Sequence, residues 1–250
     1  MKIAVTGAAG TIGTRLCEEL SRDNDVVRID IKGVPSPVDV LKLDALEKAI
    51  KGCETLIHLA GVVKVKASWD ETRENLEGTY NAFEAARRVG CKRVIFASSN
   101  HAVGMYEVDL APGVYEAASG TLLTNTVPFR PDGLYGVWKC FGENLGRYYS
   151  DEYGMQVACL RIGGIRPEDT PTPGDVTNEA TWLNISDEDK RRRMRAIWMS
   201  HRDLARLVRA IMQHDVPFGV VYGVSDNATR FWDLEAGRTL YGFWPVDGVK

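Results

Sequence analysis

The chain has no apolar run approaching the ~20 residues that a membrane-crossing helix requires, so a membrane-spanning helix and a membrane partner are not expected. Cysteines are few: five, at positions 17, 53, 91, 140 and 159. An odd count at wide, irregular spacing fits no disulfide framework; reduced thiols in a cytoplasmic protein are the expectation. Cys140 adjoins Lys139, but a small buried hydrophobe is the plainer reading. The four histidines (His58, His101, His201, His214) make no ligand spacing with these cysteines, and no metal is expected. Neither sign of charge dominates. With 31 basic and 34 acidic residues the net charge is −3, which argues against nucleic acid as a partner. A signal peptide is not expected either, because Lys2-Ile-Ala-Val-Thr6 reads directly into a strand and a glycine turn. Internal repeats, low-complexity stretches and a linker that would cut the chain into independent domains are all missing.

What is present is an ordinary globular composition, 44% hydrophobic and 26% charged over 250 residues, enough for one large domain. Lys2–Thr6 ends in Thr6-Gly-Ala-Ala-Gly-Thr-Ile-Gly13, and a helical stripe follows at Ile12, Leu16 and Leu20. Strand, glycine turn and helix form the context in which such a motif holds a dinucleotide. Gly7 and Gly10 permit a tight turn and close approach to a pyrophosphate, Gly13 permits close packing of helix on strand, and the helix start offers free N–H groups. The second strand, Val26–Asp30, ends on a carboxylate placed to accept from an adenosine ribose diol and to repel a 2′-phosphate, favouring NAD over NADP; Lys32 is the one feature against this. Val38–Leu43 reads as a third strand, with Asp44 as a helix cap or a partner for adenine.

Thr55–Gly61 reads as a buried parallel strand opening into a turn, with His58 a satisfied core histidine. Trp69–Val89 is a long helix whose polar exception, Asn75, faces the cofactor edge. Lys92–Ala97 leads to Ser98-Ser-Asn-His101, the carboxyl end of a strand, where open α/β sheets place ligands. Glu107–Pro131 reads as a loop bordering the site as a flap. Tyr135 and Lys139 follow, four apart and so on one helix face. An ammonium beside a phenol lowers a pKa that is otherwise near ~10 and readies the phenol to accept a proton from an alcohol. Val157–Ile162 and Val220–Val224 are further strands. Between them lie a Pro/Thr/Gly loop (166–177), the basic run Lys190–Arg195 and a helix after Ser200, which resembles a capping box with Asp203.

These motifs, in this order, resemble the extended short-chain dehydrogenase/reductase family, also described as NAD-dependent epimerases/dehydratases, over nearly the whole length. Within it, Phe96-Ala-Ser-Ser-Asn-His101, Arg130-Pro-Asp-Gly-Leu-Tyr-Gly136, Lys139-Cys-Phe-Gly-Glu-Asn144 and Arg161-Ile-Gly163 resemble the uronate dehydrogenase branch. The tail, Met194–Asp203 with Tyr222–Asn227, is similar to archaeal-type NAD-dependent glucose-6-phosphate dehydrogenases. The resemblance implies an α/β fold of Rossmann type: a doubly wound parallel sheet, an NAD-binding core over 1–163 and a small substrate-binding region over 164–250, interleaved in one structural domain. It implies NAD held by Gly7, Gly10, Thr11, Ile12, Gly13, Asp30, Asp44, Leu59, Ala60, Gly61, Asn75, Tyr135, Lys139 and Ile162. It also implies catalysis by Ser99, Tyr135 and Lys139 and a homo-oligomer paired through the helices at 69–89 and 135–153.

The activity implied is oxidation of an aldose at C1 to a lactone. Tyr135 would take the hydroxyl proton, Ser99 would hold that oxygen, and Lys139 would lower the pKa of Tyr135 and bind the nicotinamide ribose. Two serines that grip a carboxylate in uronate dehydrogenases are matched here by Val63 and Gly164. The gripping arginine is matched by Arg193, with Arg195, Lys64 and Lys66 added. Lost hydroxyls and added cations suit a sugar phosphate such as glucose 6-phosphate, with a hexuronate as the other choice. The expected sugar contacts are Lys64, Ser99, Asn100, His101, Arg193 and Arg195, although the plain reading of most of Lys190–Arg195 is a solvated helix face. Two other functions stay open: a nucleotide-sugar epimerase or dehydratase of the same fold, and a non-catalytic NAD-binding sensor or scaffold.

Overall fold

Short apolar strands alternate with amphipathic helices along the chain, and the computed structural model, which describes residues 1–177 and 179–250, assembles them into one parallel sheet. In chain order the principal elements are β1 (Lys2–Thr6), α1 (Thr11–Leu20), β2 (Asp25–Ile29), α2 (Leu43–Ile50), β3 (Thr55–His58), α3 (Trp69–Val89), β4 (Arg93–Ser99), α4 (Gly104–Leu110), α5 (Leu134–Tyr153), β5 (Gln156–Ile162), α6 (Asp187–Ile197), α7 (His201–Gln213), β6 (Phe218–Gly223) and α8 (Glu235–Tyr241). The six strands pair in the order β2-β1-β3-β4-β5-β6, all parallel. The order reverses between β1 and β3, which leaves a crevice at the strands' carboxyl ends.

Strands β3 and β4 are buried along their whole length, as strands covered on both faces must be. On one face Ile3, Val5 and Leu160 pack with Leu16 and Leu20 of α1 and Leu204, Leu207 and Ile211 of α7. On the other, Ala4, Leu56 and Phe96 pack with Leu46 and Ile50 of α2, Phe83 and Ala86 of α3 and Tyr149 of α5. This is the doubly wound α/β architecture expected from the motif order. A third apolar cluster joins Val103, Val114 and Tyr115 to Met194, Ile197, Phe231 and Trp232 beyond the carboxyl edge of the sheet.

The local signals explain where the elements stop. Ser68 caps α3 with a reciprocal pair: its hydroxyl accepts from Glu71 N at 3.3 Å and the Glu71 carboxylate accepts from Ser68 N at 2.7 Å. At Ser200 only half of the expected box forms. Its hydroxyl accepts from Asp203 N at 3.0 Å, whereas Asp203 Oδ2 accepts from Ser225 Oγ at 2.8 Å and from Asp247 N at 3.0 Å.

Two expectations are corrected here. Val38–Leu43 forms no strand; Val38 to Leu41 runs as coil and Leu43 already begins α2. Pro35 and Pro37 precede it, and proline offers no ladder donor. The Val40 carbonyl is instead taken by Asn81 Nδ2 of α3 at 3.0 Å. Asp44 is therefore not the cap, which falls at Lys42, but an acid in the first turn, where the helix end favours negative charge. The other correction concerns Glu107–Pro131. Its first residues belong to α4, Glu107 is buried, and Val114, Tyr115 and Leu123 anchor the remainder on Phe231 and Trp232, so none of this segment borders the cavity as a flap.

Candidate active site

A cavity of about 670 Å³ opens where the strands end, lined by residues that follow β1, β2, β3, β4 and β5. Its floor at one end is the glycine turn. Gly7 has φ +69°, and a Cβ there would come within 2.8 Å of Ala60 N; a Cβ on Gly13 would come within 2.1 Å of Gly7 O. Only glycine gives this turn its shape and lets α1 begin against β1, with its first N–H groups turned to the cavity. Asp30 stands at the same end. Its Oδ2 accepts from Ala9 N at 3.0 Å and its Oδ1 from Ile31 N at 2.8 Å, so the carboxylate is held rigidly with acceptor lone pairs to spare. Asn75 of α3 clamps the turn after β3, accepting from Val62 N at 2.8 Å and donating to Val62 O at 3.2 Å. A bare cradle for phosphates, a fixed acceptor beyond it and a roomy groove between them fit a dinucleotide.

At the other end, β4 delivers Ser99 and α5 delivers Tyr135 and Lys139, one turn apart on its buried face. Burial pushes the Tyr135 phenol up to about 12; the neighbouring Ser99 hydroxyl pulls down, and the Asp132 charge pushes up. Burial likewise holds Lys139 well below the usual lysine range, with the Glu143 charge opposing. Its ammonium donates to Ala97 O at 2.6 Å and lies 3.4 Å over the Trp138 ring. It stands 5.3 Å from the Tyr135 ring centroid. Burial dominates both shifts, because loss of water penalises the charged form of each buried side chain. His101 meets Tyr135 edge-on at 5.6 Å and pairs through Nδ1 with Asp132 Oδ2 at 2.7 Å.

Of the residues expected from the sequence, all but Asp44, Lys64 and Arg195 line this cavity. Asp39 lines the cavity and Asp44, in the first turn of α2, does not. Lys64 is exposed and pairs with Glu71 at 3.4 Å, drawn to the acid of the α3 cap. Arg195 lines a separate depression with Tyr115 and Glu116, on the helix face opposite Arg193. Arg193 does reach the cavity, but its guanidinium is already committed: Nε donates to Glu107 Oε1 at 2.7 Å and Nη2 to Glu107 Oε2 at 3.2 Å.

Sequence reasoning missed Glu107, Arg166, Glu179 and Trp182. Arg166 pairs with Glu179, and Trp182 meets His101 edge-on at 5.2 Å; all three line the cavity. No motif marks them, since each acquires its role through partners distant in sequence. In the sequence Arg161 is legible only as part of the Arg161-Ile-Gly163 motif. It proves to be structural: buried, it is held by both oxygens of Glu143, at 3.0 and 2.9 Å, while Glu143 also accepts from Ser98. Among the described residues no group of three or more His, Cys, Asp or Glu is arranged to hold a metal ion.

Comparison with known proteins agrees with this fold. The model of the NAD dependent epimerase/dehydratase family matches residues 3–181. The chain is 36% identical to an L-arabinose 1-dehydrogenase (NAD(P)(+)) of Haloferax volcanii, covering 98% of this chain and 96% of the relative. It is 32% identical to an NAD-dependent glucose-6-phosphate dehydrogenase of the same organism, covering 98% and 93%. The crystal structure of uronate dehydrogenase from Agrobacterium tumefaciens superposes with a TM-score of 0.78 at 34% identity, over 99% of this chain and 85% of that one. The chain belongs to the NAD dependent epimerase/dehydratase family.

Proposed function

We propose that this member of the family is an NAD-dependent dehydrogenase that oxidises an aldose at C1 to its lactone. The observation that carries the reading is the convergence of Ser99, Tyr135 and Lys139 at one end of a cavity whose other end is a glycine turn and a fixed acid. NAD supplies the hydride acceptor when bound. Tyr135, in its phenolate form, takes the proton of the C1 hydroxyl; the C1 hydrogen leaves with its electron pair, and the C1–O bond becomes the lactone carbonyl. Ser99 holds the oxygen on which charge develops, and the dry site strengthens that hydrogen bond. Lys139, braced on Ala97 O, offers its remaining N–H donors toward the cofactor's ribose. Asp30 receives the adenosine ribose hydroxyls.

The sugar classes named for the relatives (a hexose phosphate, a uronate and a neutral pentose) are the candidates. Residues 1–163 supply the dinucleotide end and the three reacting side chains, whereas Arg166, Glu179, Trp182 and Arg193 from 164–250 close the sugar end. A nucleotide-sugar epimerase keeps the same three residues but returns its hydride, so net NADH formation separates the two readings. A sensor or scaffold requires no turnover at all. All five cysteines are free thiols, which supports a reducing, cytoplasmic setting. No described helix is long and apolar enough to cross a membrane.

The decisive experiment follows NADH absorbance with aldoses, uronates and sugar phosphates. Tyr135→Phe is expected to lower kcat by at least about a hundredfold while NAD binding, read by calorimetry, stays within about threefold. Undiminished turnover in that variant would overturn the proposal.

A further inference from the structure

Glu107 is a carboxylate with only 1% of its surface exposed, lying immediately behind the wall of the cavity. It accepts from Arg193 through both oxygens, and Tyr115 OH donates to it at 2.9 Å. Among the described residues, Arg193 makes no other hydrogen bond, and its charge is matched before any ligand arrives. The second arginine at this end, Arg166, is paired through one nitrogen with Glu179, both half-buried. Asp132, behind His101, adds a further buried acid, and its Oδ1 has no partner. The lysines and the arginine expected to add positive charge are elsewhere: Lys64 and Lys66 are exposed outside the cavity, and Arg195 faces the other depression. Arg193 and Arg166 are thus each matched by an acid, and neither brings surplus positive charge to this wall of the cavity.

A carboxylate or phosphate entering here would share cations already neutralised and would face Glu107 and Asp132 across a medium that screens poorly. A sugar hydroxyl meets no such penalty. It can accept from the uncommitted Nη1 of Arg193 or donate to Glu179, beside the Trp182 ring over which the Arg193 guanidinium lies at 5.1 Å. Resting on the dehydrogenase reading above, we infer that the sugar end selects uncharged aldoses over hexuronates and sugar phosphates, and that Glu107, acting through Arg193, is the residue that sets this choice.

The test is a comparison of kcat/KM, from NADH formation, for D-glucose, D-galactose and L-arabinose against D-glucuronate, D-galacturonate and D-glucose 6-phosphate. The natural protein is expected to favour the neutral sugars by at least about tenfold. Glu107→Gln, which keeps the shape and frees the Arg193 charge, is expected to raise the ratio of anionic to neutral kcat/KM by at least about tenfold, chiefly through KM. A purely structural role for Glu107 would lower both classes alike and leave the ratio unmoved, which overturns its part in the choice. Equal or better kcat/KM with the anionic sugars in the natural protein overturns the inference outright, even if Glu107→Gln does not fold. NADH from anionic sugars alone would leave the dehydrogenase reading standing, whereas no NADH from any sugar removes both.

Discussion

His58 lies between Thr6 and Thr79, with Nδ1 2.8 Å from the Thr6 hydroxyl and Nε2 3.4 Å from the Thr79 hydroxyl. Thr79 spends its one proton on Asn75 O and accepts from Trp138 Nε1, so His58 Nε2 carries the hydrogen and Thr6 donates to Nδ1. Burial, with a smaller push from the Lys139 charge, lowers its pKa to about 3. The ring is therefore neutral in the fold, while in the unfolded chain it binds a proton below its ordinary 6.5. Its contribution to stability is complete above 6.5 and is lost as pH falls from there toward 3, at up to about 1.4 kcal/mol per pH unit. Urea midpoints measured at pH 7 and pH 5 should show that loss, and His58→Asn should flatten it; an unchanged pH slope would refute the assignment. The satisfied-core reading of His58 was available from its place in an apolar strand. The partners of Arg193 were not, since 86 residues separate it from Glu107.

At the scale of elements, helix ends were legible where the signal was local. Ser68 and Glu71 stand three apart and close a complete box at the head of α3, and Gly90, with φ +79°, ends the helix. Ser68→Ala should cost about 1 kcal/mol of global stability with no change in kcat, read from urea unfolding. A loss of activity at unchanged stability would mean that the cap also positions the turn at Val62–Val65. The Val38–Leu43 segment failed because its β-branched pattern says nothing about whether a neighbouring strand is there to pair with. Asn81 and the two prolines decided the matter. The same reasoning applies to Arg195: helical spacing put it near Arg193 in sequence, but two steps along α6 turn it to the far side.

For the whole molecule, α3 and α5 lie side by side on one sheet face and carry exposed aromatic side chains: Trp69, Tyr80, Tyr148 and Tyr153. Apolar surface of this kind on two adjacent long helices supports the pairing of two copies proposed from the resemblance. Light scattering should return twice the monomer mass, with Tyr80→Glu and Tyr148→Glu together shifting the population to monomer. A monomer in the natural protein at micromolar concentration would end that idea.

By itself the sequence determined the parallel α/β architecture, the glycine turn with its acid and the trio at 99, 135 and 139. Each of these is written in short-range spacing, and the chain's alternating pattern leaves them one sheet to assemble on. Only the tertiary structure decided which cations line the cavity, that Glu107 already occupies one of them, and that burial holds Tyr135 and Lys139 toward their neutral forms. Charge pairing and desolvation depend on which distant segments meet and on how much water they exclude, and neither quantity is carried by any window of the chain.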